Sequence, residues 1–341
     1  MKKIMVALVV FSAILSSCEN SNWSFPDYGT TSVYFAQQTP IRTITLGDDV
    51  YDTSLDNEHK CQIMATVGGV YKNNVDRIVD IKVDESLCSG LSFEDGQPIQ
   101  PMPSDYYSLA SNQIIIPKGK VLGGVQVQLK DIFFNDPKSI NTTYVIPLKM
   151  MSVQNADTIL KDKNYILYAL KYKNKWHGYW LSRGTDKIDD NGSVSTVERK
   201  KQHIEDDEVR TLTTSAYKQV IYPISTVVQV YDATGTLTPK SLTCDLILTF
   251  DGNDQCTISS GTEGYTVTGS GIWTRQGAER GSEFSWGDKA RDLLKLKYEL
   301  TFYYKQSAGS ATLYKKYTCD DTLVARDRGS KFETFSPKKN N

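Results

Sequence analysis

The sequence predicts an all-β protein of two domains, an N-terminal immunoglobulin-like β-sandwich followed by an antiparallel β-barrel or second sandwich. Three observations carry this. Apolar and polar residues alternate with a period of two along most of the chain. Turn signals, among them "DGQP", "PKGK", "DDNG", "ATGT", "DGND" and "GTEG", separate the alternating runs. Helical pattern is scarce: "DNEHKCQIMA" and "WGDKARDLL" each read as a short helix, and the mixed-charge block from Glu198 to Arg210 as a solvated loop or short exposed helix.

At the start of the chain, Lys2-Lys3, the apolar run Ile4 to Leu15 and small Ser16-Ser17 have the layout of a secretory signal over residues 1–17. The run is too short for a spanning helix, which takes about 20 apolar residues. Leu15-Ser16-Ser17-Cys18 resembles a bacterial lipobox, which implies that Cys18 is acylated and anchors the chain in outer-membrane lipid. Buried acyl methylenes at about 0.8 kcal/mol each make such an anchor durable. Residues 18–30 are polar and short of aliphatics, as a flexible tether is.

The first domain spans residues 31–172. In its "VQVQL", Val125, Val127 and Leu129 share one face and Gln126 and Gln128 the other, the signature of a half-buried strand. The basic stretch "KYKNK", Lys171 to Lys175, marks the boundary. The second domain, residues 173–341, holds longer strands. "LTCDLILTF" places Leu242, Cys244, Leu246, Leu248 and Phe250 together, and "LLKLKYELTFYYK" sends Leu294, Leu296, Tyr298, Leu300, Phe302 and Tyr304 inward. Such strands have one wet face and need a sheet that curls or closes to hide its edges.

Composition narrows the function. A net charge of −1 gives no electrostatic reason for a nucleic-acid partner. After Cys18 the cysteines are Cys61, Cys88, Cys244, Cys256 and Cys319, an odd set without CxxC spacing, so at least one thiol is unpaired within the chain and no zinc or redox motif is present. His59, His177 and His203 lack ligand spacing, and no nucleophile elbow or phosphate loop occurs, so neither metal nor cofactor is expected. "DDNG" (Asp189 to Gly192) and "DGND" (Asp251 to Asp254) carry oxygen ligands suited to calcium, but the same residues make tight hairpins and read as turns. A glycosidase needs two carboxylates about 5–10 Å apart across a cleft. Asp206-Asp207-Glu208 and Asp320-Asp321 read instead as solvated surface, and no catalytic residue is assigned.

Aromatic residues, 11% of the chain with 20 tyrosines, supply the candidate site. Sugar rings present flat C–H faces that an exposed indole or phenol can cover, with Arg, amide or carboxylate groups for the hydroxyls. In "NKWHGYWLSR", Trp176, Gly178 and Trp180 would share one side of a strand, leaving a gap between two indoles, with Tyr179 on the other side. Trp273, Arg275 and Trp286 fall at strand or strand-end positions, and "GSGIW" before them suggests a bend or bulge. The expected ligand-binding set is therefore Trp176, Tyr179, Trp180, Trp273, Arg275 and Trp286. The competing reading is that these indoles fill a barrel core.

Several segments also carry a family resemblance. "SVYF", "IVDIKVDESL", "MPSDYYSL", "NQIIIPKGK" and "TTYVIPLKM" resemble, in order over about Thr31 to Tyr172, the BT_3987-type N-terminal β-sandwich of many Bacteroidetes lipoproteins. "WHGYWLSRG", "YTVTGSGIW", "SWGDKARDLLKLKYEL" and "VARDRGSKFETF" are similar to the lipocalin-like domain that often follows it. The resemblance implies an outer-membrane, cell-surface protein of a polysaccharide-utilisation system that captures oligosaccharide beside a glycan importer. Only Glu19 follows the cysteine as an acidic export signal, which leaves the leaflet open. A glycoside hydrolase with an unfamiliar carboxylate site in the C-terminal domain, and an adhesive subunit that touches no sugar, are the alternatives.

Overall fold

A computed structural model describes residues 29–340, so Cys18 and the leader lie outside the described residues. Strands β1 (Ser32–Tyr34), β2 (Pro40–Thr45), β3 (Lys60–Gly68), β4 (Arg77–Val83), β5 (Leu91–Ser92), β6 (Gln100–Pro101), β7 (Tyr107–Leu109), β8 (Gln113–Ile116), β9 (Leu122–Leu129), β10 (Tyr144–Gln154), β11 (Thr158–Ile159) and β12 (Tyr165–Lys173) build the first domain. One sheet has the order β11-β1-β3-β9-β7 and the other contains β2-β12-β10-β4-β8. Between them lies a core that includes Val33, Ile63, Val127, Ile146, Leu148 and Leu170. Val125, Val127 and Leu129 point into it, as their alternation predicts.

The second domain comprises β13 (Gly178–Asp190), β14 (Ser193–Arg199), β15 (Glu208–Ala216), β16 (Gln219–Tyr231), β17 (Leu237–Phe250), β18 (Gln255–Ser260), β19 (Thr266–Ala278), β20 (Arg291–Lys305) and β21 (Thr312–Asp327). Neighbours pair antiparallel from β13 through β15 to β21, and β21 pairs back onto β13, so the sheet closes into a barrel with β14 as a hairpin arm of β13. Closure removes the edges that an open sheet of this length would expose. Leu242, Cys244, Leu246, Leu248 and Phe250 point inward, as do Leu294, Leu296, Tyr298, Leu300 and Phe302, while Tyr304 is only partly buried. Deeper still, Asp321 is paired with Arg199 and accepts hydrogen bonds from the hydroxyls of Tyr298 (3.0 Å) and Tyr222 (3.2 Å). The lumen is thus filled by side chains.

Several local expectations are corrected. In "DNEHKCQIMA" a helix survives only at α1 (Ser54–Asn57), because Cys61, Ile63 and Ala65 alternate into the sandwich core as part of β3. "WGDKARDLL" forms no helix: its end enters β20, where pairing along β19 and β21 overrides local helical preference. Asp321 and Asp207 are buried and not solvated; Asp207 is held by Arg183 at 2.6 Å. "DDNG" and "DGND" are hairpin turns, in which Asp189 accepts from the N–H of Gly192 (2.7 Å) and Asp251 from that of Asn253 (2.8 Å). Cys61, Cys88, Cys244, Cys256 and Cys319 are all free thiols and buried.

The tail also departs from the expected division, which grouped residues up to 341 with the barrel. β22 (Glu333–Thr334) pairs with β2, and β23 (Lys338–Lys339) with β5. Between them Phe335 inserts beside Phe93, ring centroids 5.0 Å apart, in a small core with Cys88, Ile99, Val145 and Leu167 on the outer face of the sandwich. The chain therefore leaves the sandwich, builds the barrel and returns.

Candidate functional site

The barrel is tied to the sandwich at a junction built from "LGDDVYDTS" (Leu46 to Ser54), the linker Asn174 to His177 and the end of β21. Arg328 is its buried centre. Its guanidinium donates to the carbonyls of Leu46 (2.9 Å), Asn174 (2.5 Å) and Lys175 (3.0 Å), joining both domains and the linker. Ser330 adds a hydrogen bond from its hydroxyl to Asp49 at 2.7 Å, and Arg275 of β19 makes a two-point ion pair with Asp48, both contacts 2.9 Å.

Two clefts open along this junction, of about 520 Å³ and about 720 Å³. Asp48, Asn57, Lys175, Arg275 and Asp292 line both, so the clefts adjoin along these side chains. The smaller one receives a phenol from each domain, Tyr51 from the sandwich (40% exposed) and Tyr179 from β13 (42% exposed). Acidic, amide and basic groups surround them, including Asp52, Lys289 and Arg326.

The structure gathers most of the expected residues here, but changes what they do. Trp180 (2% exposed) points into the barrel and donates its indole N–H to the carbonyl of Trp176 at 3.1 Å. Trp176 (3% exposed) precedes β13 and stacks on Phe250 at 3.8 Å, nearly parallel, with Trp273 (7% exposed) edge-on to it at 6.5 Å. The ammonium of Lys175 covers both indoles, 4.3 Å from the Trp273 ring centroid and 5.0 Å from that of Trp176, and is paired with Asp254. These three tryptophans close the end of the barrel, so their rings are core surfaces and not exposed platforms. Nor does Gly178 leave a gap between indoles. Its φ of +141° and the carbonyl of Asp327, which a Cβ would approach to 2.6 Å, show that strand contact demands glycine there.

Trp286 lines neither cleft. It packs with Phe284 over Leu181, Leu293 and Val324 on the outer barrel wall, under the guanidinium of Arg291 at 3.6 Å. Tyr179 and Arg275 therefore remain as exposed residues of the expected set that line a cleft. Sequence reasoning missed Asp48, Tyr51 and Asp292. The first two are contributed by the other domain, and no local pattern signals a contact across more than a hundred residues; Asp292 opens a strand whose pattern reads only as core and surface.

Electrostatics at the junction are uneven. The hydrogen-bonded guanidinium of Arg275 holds the Asp48 carboxyl below the usual range, while burial raises that of Asp292, with the charge of Asp48 adding to the rise. Asp292 accepts the backbone N–H of Gln276 at 2.9 Å. Burial, together with the charges of Lys173 and Arg328, depresses His177 to about 3. Its Nδ1 accepts the Thr214 N–H at 3.1 Å, which places the ring proton on Nε2. The backbone is strained as well: His59 (φ 58°), Asp254 (61°) and Gln276 (53°), all lining these clefts, occupy the left-handed region that residues with a Cβ disfavour. Such strain concentrates at ligand sites.

Fold and junction together define a two-domain, all-β protein with a polar cleft held between sandwich and barrel. Comparison with known proteins agrees with this division. A family described as an N-terminal domain matches residues 28–157, and a domain of unknown function, DUF5627, matches residues 175–329. A Bacteroides ovatus protein of unknown function aligns with 36% identity over 91% of this chain and 99% of its own, at a TM-score of 0.77. The chain belongs to the family of that protein. A Bacteroides thetaiotaomicron protein described as an auxiliary nutrient binding protein aligns over 86% of this chain and 95% of its own, but at 12% identity and a TM-score of 0.40, too slight a likeness to inform function. No curated protein matches.

Proposed function

We propose that this protein is a lipid-anchored component of the bacterial cell envelope that binds oligosaccharide at its domain junction without cleaving it. The observation that carries this reading is the pair of exposed phenols, Tyr51 and Tyr179, brought from two domains into one cleft. Phenol faces cover the C–H faces of a sugar ring, and the carboxylate, amide and guanidinium groups around them match its hydroxyls. The volume lies within the range of about 300–1,000 Å³ typical of small-ligand sites. The lipid anchor is read from the lipobox-like Leu15-Ser16-Ser17-Cys18, and the outer membrane as location and a glycan importer as neighbour are what the resemblance to the BT_3987-type lipoproteins implies.

Affinity electrophoresis against a panel of soluble polysaccharides tests the binding. Retardation is expected for the wild type and is expected to weaken at least tenfold in Tyr51→Ala and in Tyr179→Ala, with melting temperatures unchanged. Wild-type mobility unaltered by every polysaccharide would refute it. Mass spectrometry of envelope-derived protein tests the anchor, with diacylglycerol expected on Cys18.

A second reading is favoured by one feature. Asp48 and Asp292 are carboxylates whose environments push their pKa values apart, as an acid and base pair requires. A glycoside hydrolase would release shortened products during long incubation with a retained polysaccharide, whereas a binding protein returns it intact.

A further inference from the structure

Asp48, Asn57, Lys175, Arg275 and Asp292 line both clefts. Among them Arg275 and Asp48 pair with each other, and their side chains are 64% and 43% exposed, so the pair competes with water on both partners. An exposed pair of this kind contributes little to stability and can open readily. Lys175, the other long side chain shared by the clefts, is anchored separately on Asp254. Domain geometry does not depend on the Arg275 bridge, since buried Arg328 ties Leu46 to Asn174 and Lys175 independently.

Resting on the saccharide-binding reading, we infer that the two clefts are halves of one groove, and that its ligand is an extended saccharide chain long enough to enter both. The Arg275–Asp48 pair is the divider. On binding, its guanidinium and carboxylate exchange contacts with each other for contacts with ring hydroxyls, because both residues line each cleft and, of the charged residues shared by the two, they form the exposed pair. Chain ends then lie in opposite halves: one beside Tyr51 and Tyr179, the other beside Tyr217 and the Lys175-capped indoles. A mono- or disaccharide fills one half and leaves the divider closed. Discrimination is therefore by chain length, a property that neither cleft alone would confer.

The experiment is a calorimetric titration of the full chain with length ladders, two to eight units, cut from a polysaccharide that retards the wild type. Affinity is expected to rise at least tenfold between the dimer and the longest oligomers. In Arg275→Ala the ratio of octamer to dimer affinity is expected to fall by at least threefold, because the opened divider no longer supplies its hydroxyl contacts to a chain that spans both halves. Arg275→Lys, which keeps the charge but loses the two-point geometry, should fall between. Melting temperatures within about 2 °C of wild type confirm that the junction is intact. Equal affinity for dimer and octamer overturns the single groove while leaving saccharide binding in place. A length dependence identical in wild type and Arg275→Ala overturns the role of the divider. Absence of retardation by any polysaccharide removes both the inference and the reading beneath it.

Discussion

Replacing Arg328 with Met tests whether the junction is a single rigid unit. The guanidinium makes three close hydrogen bonds, to Leu46, Asn174 and Lys175, and a longer one to the carbonyl of Asp48 at 3.4 Å. Hydrogen bonds from a charged donor contribute about 1.5–3 kcal/mol each. Opposing this is the cost of burying the charge, several kcal/mol after relaxation, which Met does not incur. Burial has already pulled the Arg328 pKa down, although Asp49, Asp292 and Asp48 work against it. Methionine fills the volume but leaves three buried carbonyls unmet, so the net loss is about 3 kcal/mol. At about 2–4 °C per kcal/mol for a domain of this size, the transition should fall by about 6–12 °C. Because the lost bonds cross the junction, differential scanning calorimetry should show one cooperative transition for the wild type and two separated ones for Arg328→Met. A variant melting as one transition within 1 °C of wild type would show that other contacts hold the domains together.

The tail, core and titratable groups give further expectations. Phe335→Ala, emptying the small core beside Phe93, should cost about 3 kcal/mol in urea titrations, near the low end for buried aromatic truncation, and speed alkylation of Cys88. Trp180→Ala should cost about 3–5 kcal/mol, so that any binding defect follows unfolding; normal stability with lost binding would instead mark it as a ligand residue. His177 is depressed to about 3 in the fold and titrates near 6.5 when unfolded, so below 6.5 the unfolded chain takes up the proton first and stability falls as pH drops from about 6.5 toward 3. His177→Gln should flatten the melting temperature over that window, and an unchanged slope would contradict the assignment. Asp292 has the opposite sign: its raised folded-state pKa means stability declines as pH rises from the unfolded value through the folded one, so Asp292→Asn, which keeps an acceptor for the Gln276 N–H, should melt higher than wild type at pH 7.

The alternation in "LTCDLILTF" and "LLKLKYELTFYYK" was sufficient to orient two barrel strands, because a strand with one wet face writes its register in a period of two. The same logic fails where both faces are covered or the chain leaves a regular element. Asp321 reads as a surface acid until the barrel closes around it and Arg199 arrives from the β14 arm. Phe335 sits in a polar tail whose partner, Phe93, lies far back in the chain. At the candidate site, composition pointed to tryptophan, the largest flat surface available, yet a barrel end of this width needs large rings to seal it. Smaller tyrosines are left at the rim, where a phenol can expose its face and keep its hydroxyl wet. Tyr179 and Arg275 were legible as residue types beside the right strands; Tyr51 and Asp48 were not, since only the fold brings the first domain against them.

The most direct measurement is a crystal structure of the protein soaked with the tightest-binding oligosaccharide from the ladder. Sugar rings are expected between Tyr51 and Tyr179, with the chain continuing past Arg275 toward Lys175. Rings bound only on the outer barrel wall, or a junction left empty under saturating ligand, would contradict the assignment.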